Sequence, residues 1–190
     1  VRRPPRREMR RRDAWSPVDR GVAERCILGF NAGPPMNPSA YNNNVQIFQA
    51  PGYVVLLNEM VHDSRIVSLD GRDHLPGKMR QWRGDSRGRW DGDTLVVEST
   101  NFTETTSFSG SGQAMRLVER FTRIDDGTVL YEYTVDDPGS FVSPWTVAIP
   151  MKHSDQPLFE YACHEGNYGM TNLMESARAV DAQRAVSGAQ

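Results

Sequence analysis

Three short stretches of this chain hold residue types that catalysis or ligand binding uses. Glu119 stands in Leu117-Val118-Glu119-Arg120-Phe121, with apolar neighbours two positions away on either side. A carboxylate on an apolar face loses solvation, its pKa rises, and it can serve as a general acid or base near neutral pH. The other reading of Glu119 is an ion pair with an arginine across the interior. Glu59, His62, Asp63 and Arg65 are packed into a stretch of seven residues. A histidine beside carboxylates suits a proton shuttle, and an arginine there suits orienting an anion. The same stretch also reads as a strand end with solvated charges. Cys163-His164-Glu165 sets a thiol beside an imidazole. Adjacent strand residues point to opposite faces, so these two cannot activate each other. Cys163 therefore reads as a half-cystine facing the core and His164 as a strand-end residue.

Metal binding needs three or four convergent ligands. The histidines are His62, His74, His153 and His164, in no paired motif, and the combination open to zinc is His62, His164 and Glu59. No other cofactor is expected. Gly84-Asp85-Ser86-Arg87-Gly88 has the letters of a nucleophile elbow but runs into another hairpin, not from a strand into a helix. Walker and dinucleotide-binding glycine patterns are missing.

The elements that must position these groups are short β runs separated by turn signals. Residues 45–49 and 54–60 flank Pro51-Gly52, and the run 65–69 stops at Asp70-Gly71. Residues 72–86 read as a long loop. Asp91-Gly92-Asp93 joins a short run at 88–90 to a longer one at 95–102. Residues 103–114, rich in Ser, Thr and Gly, read as a mobile loop or lid.

The clearest hairpin joins 116–124 to Thr128–Asp136 through Asp125-Asp126-Gly127. Pairing Ile124 with Thr128 sets Glu119 opposite Tyr133, Arg120 opposite Glu132 and Phe121 opposite Tyr131. The period of two then puts Leu117, Glu119, Phe121, Val129, Tyr131, Tyr133 and Val135 on the core face. A last hairpin is predicted from 145–151 to 158–163, and a helix over 170–186. The fold class is mainly β: an antiparallel meander of eight or nine strands curled into a lipocalin-like barrel or half-barrel, with a short C-terminal helix.

Of 190 residues, 38% are hydrophobic, with Gly 16 and Pro 12, as in a loop-rich β-domain. No apolar run is long enough to span a membrane. Residues 1–20 hold eight arginines against Glu8, Asp13 and Asp19, a local charge of +5 that leaves −7 on the rest of a chain whose total is −2. Pro4, Pro5 and Pro17 break any helix there. The segment reads as a disordered basic arm and not as a nucleic-acid-binding one, with residues 21–190 as a single β-domain. No signal peptide is visible.

Three motifs carry a resemblance. Asn42-Asn43-Asn44, the run Gly84-Asp85-Ser86-Arg87-Gly88-Arg89-Trp90-Asp91-Gly92-Asp93-Thr94-Leu95-Val96-Val97, and Tyr161-Ala162-Cys163-His164-Glu165-Gly166-Asn167-Tyr168 occur in that order. Across about residues 24–178 the chain resembles a large group of uncharacterised exported proteins of soil and marine bacteria. That resemblance implies an exported β-domain, periplasmic or secreted, and carries no activity with it.

Function is therefore open to three readings. The first is an exported small-molecule enzyme, hydrolase or lyase in type, with Glu119 or His62 as acid/base, Arg65 on an anion, and Glu59 and His164 nearby. The second is a lipocalin-like binding protein for an apolar or aromatic small molecule, lined by Phe121, Tyr131, Tyr133, Trp145 and Phe159. The third is a barrel filled by its own side chains. The cavity separates them. The two cysteines, Cys26 and Cys163, are expected to form one disulfide, since the ends of a closing barrel meet.

Overall fold

The alternation of apolar residues produces eight strands in a computed structural model, which describes residues 17–106 and 108–187. They are β1 (Val45–Ala50), β2 (Tyr53–Asn58), β3 (Asp63–Ser68), β4 (Asp85–Asp91), β5 (Thr94–Thr100), β6 (Arg116–Asp125), β7 (Thr128–Asp136) and β8 (Trp145–Lys152). The helix α1 (Tyr168–Ser187) follows. The strands form one sheet in sequence order, curled into a half-barrel. Every neighbour pair is antiparallel except β3–β4, which touch in parallel at Ser68 and Arg87. Gly88 permits that contact: a Cβ there would stand 2.7 Å from side-chain atoms of both Val67 and Leu69.

Register matches the expected pairing, with Glu119 opposite Tyr133, Arg120 opposite Glu132 and Phe121 opposite Tyr131. The end of that hairpin differs. Asp125, not Ile124, pairs with Thr128, and the register shifts between Arg123 and Asp125. Ile124 thus takes the unpaired place of a bulge, which lets this apolar residue face solvent without flipping the core face.

A ninth strand does not form. Residues 158–162 take no regular structure, so β8 is an edge. Pro150 lies within β8 and lacks the N–H that a further ladder would use, a position tolerated on edge strands. The inward residues Trp145, Val147, Ile149 and Met151 are only half-buried as a result.

The chain divides into two compact units. One comprises residues 28–161: the sheet and a strap of irregular chain, 28–44. Its core is Met36, Val54, Leu56, Val67, Leu95, Val97, Phe102, Met115, Leu117, Phe121, Tyr131, Tyr133 and Val135. Met36 comes from the strap, and two tyrosines of β7 hold that strap: Tyr131 Oη accepts from the Met36 N–H at 3.0 Å, and Tyr133 Oη donates to Asn37 Oδ1 at 2.8 Å. The loop expected to be a lid is fastened at Gly112, whose N–H donates to Asp137 at 2.6 Å, and at Gln113, whose carbonyl accepts from Arg80 at 2.7 Å.

The described part of the other unit comprises residues 17–27 and 162–187. Cys26 and Cys163 form a disulfide with Cα atoms 5.8 Å apart. Asn167 Oδ1 caps α1 by accepting from Met170 N–H at 3.2 Å, while its Nδ2 donates to the Glu24 carbonyl at 2.9 Å. The bridge therefore joins the segment before the strap to the turn before α1. It is not the clasp of a closed barrel, because β1 and β8 do not pair. Of the basic arm, residues 1–16 lie outside the described residues. No helix among those described is long and apolar enough to cross a membrane.

Candidate functional site

Two polar groupings lie on the concave side of the half-barrel. The first is built around Glu119, which β6 delivers to the core face, where it is fully buried. Curling of the sheet brings β3 across from β6, and Arg65 meets Glu119 as a two-pronged pair: Nη1 to Oε2 at 2.5 Å and Nη2 to Oε1 at 2.9 Å. Tyr131 Oη donates to the same Oε1 at 2.7 Å. Burial alone would pull the Arg65 pKa down, but the Glu119 charge and its hydrogen bond, with a smaller contribution from Tyr131, hold it above its ordinary value. Burial first and the Glu119 charge second push the Tyr131 phenol well above the usual tyrosine range. Planar guanidinium and planar carboxylate meet in a two-pronged pair, and the phenol takes up a further acceptor direction on Oε1.

The second grouping walls a cavity of about 680 Å³ between the two free edges of the sheet. Val45, Gln46 and Ile47 of β1 lie on one side, Ile149, Pro150 and Met151 of β8 on the other, and Tyr131 with Met36 forms part of the wall. The remaining wall is rich in carboxamides: Asn31, Asn37, Asn42, Asn43, Asn44, Asn58 and Gln156. Asn31 organises the strap: its Nδ2 lies 3.0–3.2 Å from Ser39 Oγ, the carbonyls of Tyr41 and Asn42, and Asn43 Oδ1. The charged residues of the lining are exposed, at the rim. Arg123 pairs with Asp126 at 3.0 Å, Lys152 donates to Thr128 at 2.7 Å, and Asp125 completes the set. The Thr128 hydroxyl and the Gly127 N–H hold Asp125 below the usual carboxylate range.

The residues expected to carry chemistry are placed as follows. Glu119 and Arg65 come together, but neither belongs to the cavity wall. Glu59 leaves β2 in a tight turn, Met60–His62, where Val61 and His62 have φ of 61° and 33°. Its buried carboxylate accepts from Asn44 Nδ2 at 2.9 Å and from the Asn44 N–H at 3.3 Å, so it braces the start of β1. His62 is exposed, with Nδ1 3.1 Å from the Tyr161 carbonyl. His164 is exposed in the turn before α1. Among the described residues no three or more His, Cys, Asp or Glu stand close enough to hold a metal ion.

Of the aromatic residues, Tyr131 lines the cavity. Phe121, Tyr131, Tyr133 and Trp145 form a continuous cluster with ring centroids 4.9–6.0 Å apart. Phe159 is exposed on the irregular chain after β8, and its neighbour Leu158 reaches the cavity instead.

Asn58 was missed by the reading of the sequence. It ends the apolar run Tyr53–Asn58 on the same face as Val54 and Leu56. A polar residue on a core face is the signal that marked Glu119, and applied to β2 it would have marked Asn58. The asparagine run 42–44 entered only as one of the motifs that carry the resemblance until the fold placed it on a cavity.

No family model matches the chain, and no curated protein or solved structure matches it significantly.

Proposed function

We propose that this chain is an exported binding protein that takes a small molecule with an apolar body between the free edges of its half-barrel. The observation that carries the reading is the cavity: about 680 Å³, with Met36, Val129, Tyr131, Ile149 and Met151 offering apolar surface and carboxamides offering hydrogen bonds. That volume falls in the range of roughly 300–1,000 Å³ common to small-molecule sites, and the mixture of apolar wall with a few polar groups is typical of them. The Cys26–Cys163 disulfide is compatible with an oxidising compartment, which supports export to the periplasm or medium. Hydrolase or lyase chemistry finds less support. Its leading acid/base candidate, Glu119, accepts three hydrogen bonds from Arg65 and Tyr131 and does not reach the cavity.

The test is a fluorescence titration with N-phenyl-1-naphthylamine, a neutral apolar dye that brightens in apolar sites. Saturable one-to-one binding is expected, lost when Ile149→Trp fills the cavity. An absence of saturable binding, or binding indifferent to that substitution, would overturn the reading.

A further inference from the structure

Asn58 closes β2 between Val45 of β1 and Asp63 of β3. Its residue exposure is 5%, and it lies on the cavity wall. Its side-chain amide has no hydrogen-bond partner among the described residues, nor is it sealed in as Asn31 Oδ1 is. A polar group buried to this degree is ordinarily paired, because an unpaired one costs its desolvation. Asn58 thus presents an unused donor and an unused acceptor to a cavity whose charged lining residues, Arg123, Asp125, Asp126 and Lys152, are all exposed.

Resting on the binding reading above, the geometry points to Asn58 as the recognition residue for an uncharged ligand that bears a primary-amide or lactam edge on an apolar body. A carboxamide is satisfied by a partner that sets an N–H beside a C=O, and a primary amide or a lactam, whose N–H and C=O lie on one edge, does so with two parallel hydrogen bonds. The surroundings select the rest of the ligand. Met36, Val45, Ile149 and Met151 would strand the hydroxyls of a polyol but accept an aliphatic or aromatic body. The rim gives an ion little net attraction, since the formal charges of Arg123 and Lys152 equal those of Asp125 and Asp126, and Arg123 is paired with Asp126. An ionic group seated at Asn58 would surrender its hydration to a neutral carboxamide.

Isothermal titration with two dipeptides of phenylalanine and leucine tests this. The cyclic form is neutral with two lactam edges, and the linear form is a zwitterion. The wild type is expected to bind the cyclic form about ten-fold or more tighter than the linear one, in line with two hydrogen bonds to an unpaired group. Asn58→Leu is expected to weaken the cyclic dipeptide by about ten-fold while still binding the naphthylamine dye, and Asn58→Asp, which keeps the shape, should lose it likewise. Melting of unliganded Asn58→Leu should be unchanged or higher, because no internal hydrogen bond is lost. Failure of the wild type to bind the cyclic dipeptide while it binds the dye would overturn the assignment and leave the binding reading standing. Equal binding of both dipeptides, undiminished binding by Asn58→Leu, or a fall in its melting temperature would also overturn it. Failure of the dye itself would instead remove the reading on which the assignment rests.

Discussion

Two of the polar groupings buried on the concave side of this half-barrel, around Glu119 and around Asn58, are treated in opposite ways. Around Glu119 both carboxylate oxygens are paired within the protein: two bonds come from Arg65 and one from Tyr131, whose own oxygen also serves the Met36 N–H. Around Asn58 none is used. The first grouping ties β3, β6, β7 and the strap together. The second stands on the wall of an open cavity. A buried charge must be paired within the protein because no ligand is present to pair it during folding. A buried neutral amide can wait for an external partner at a smaller cost, which water in the cavity reduces further. Ionisable type alone therefore points to the wrong place here, and the state of satisfaction is the better guide to where a ligand goes.

The largest effect should come from breaking the saturated grouping. Glu119→Gln leaves the Arg65 charge buried without a counter-charge, and a loss of about 3–5 kcal/mol is expected in urea unfolding. Replacing both partners, Arg65→Met with Glu119→Leu, should recover most of it. If the double variant were as unstable as the single one, the pair would be contributing through packing and not through charge.

Tyr131→Phe is milder. It removes the hydrogen bond to Glu119 and the acceptor for Met36, for about 1–3 kcal/mol. It also changes the pH response. The phenol holds its proton in the folded protein at a pH where the unfolded chain has lost it. The unfolded state then binds fewer protons, so stability falls as pH rises above about 10 and is complete below that. Denaturant titrations at alkaline pH should show this slope in the wild type and a shallower one in Tyr131→Phe.

The smallest effect belongs to the unsatisfied grouping. Asn58→Leu should shift stability by no more than about 1 kcal/mol, upward if at all. Thermal melts of that variant beside Glu119→Gln measure the contrast directly.

Much of the sheet was legible because its signals are local. The Asp125-Asp126-Gly127 turn and the period of two fix the β6–β7 register, and with it Glu119 on the core face, without knowledge of any other strand. The partner of Glu119 was not, because Arg65 reaches it only after three intervening strand connections curl the sheet. The ninth strand failed for a related reason: 158–163 has the composition of a strand, but pairing depends on the neighbouring edge, and Pro150 sits in that edge. The cavity was least legible of all. Its wall combines the strap, β1, the β6–β7 turn and the chain after β8, segments far apart in sequence that no local pattern relates.

Hydrogen exchange followed by mass spectrometry, with and without saturating naphthylamine dye, tests the contrast between the two groupings most directly. Added protection is expected in residues 36–47 and 149–158, which wall the cavity, with none in 117–121, already closed by Arg65 and Tyr131. Protection confined to other segments, such as 70–84 or 103–114, or gained at 117–121 while 36–47 stays unchanged, would contradict the account.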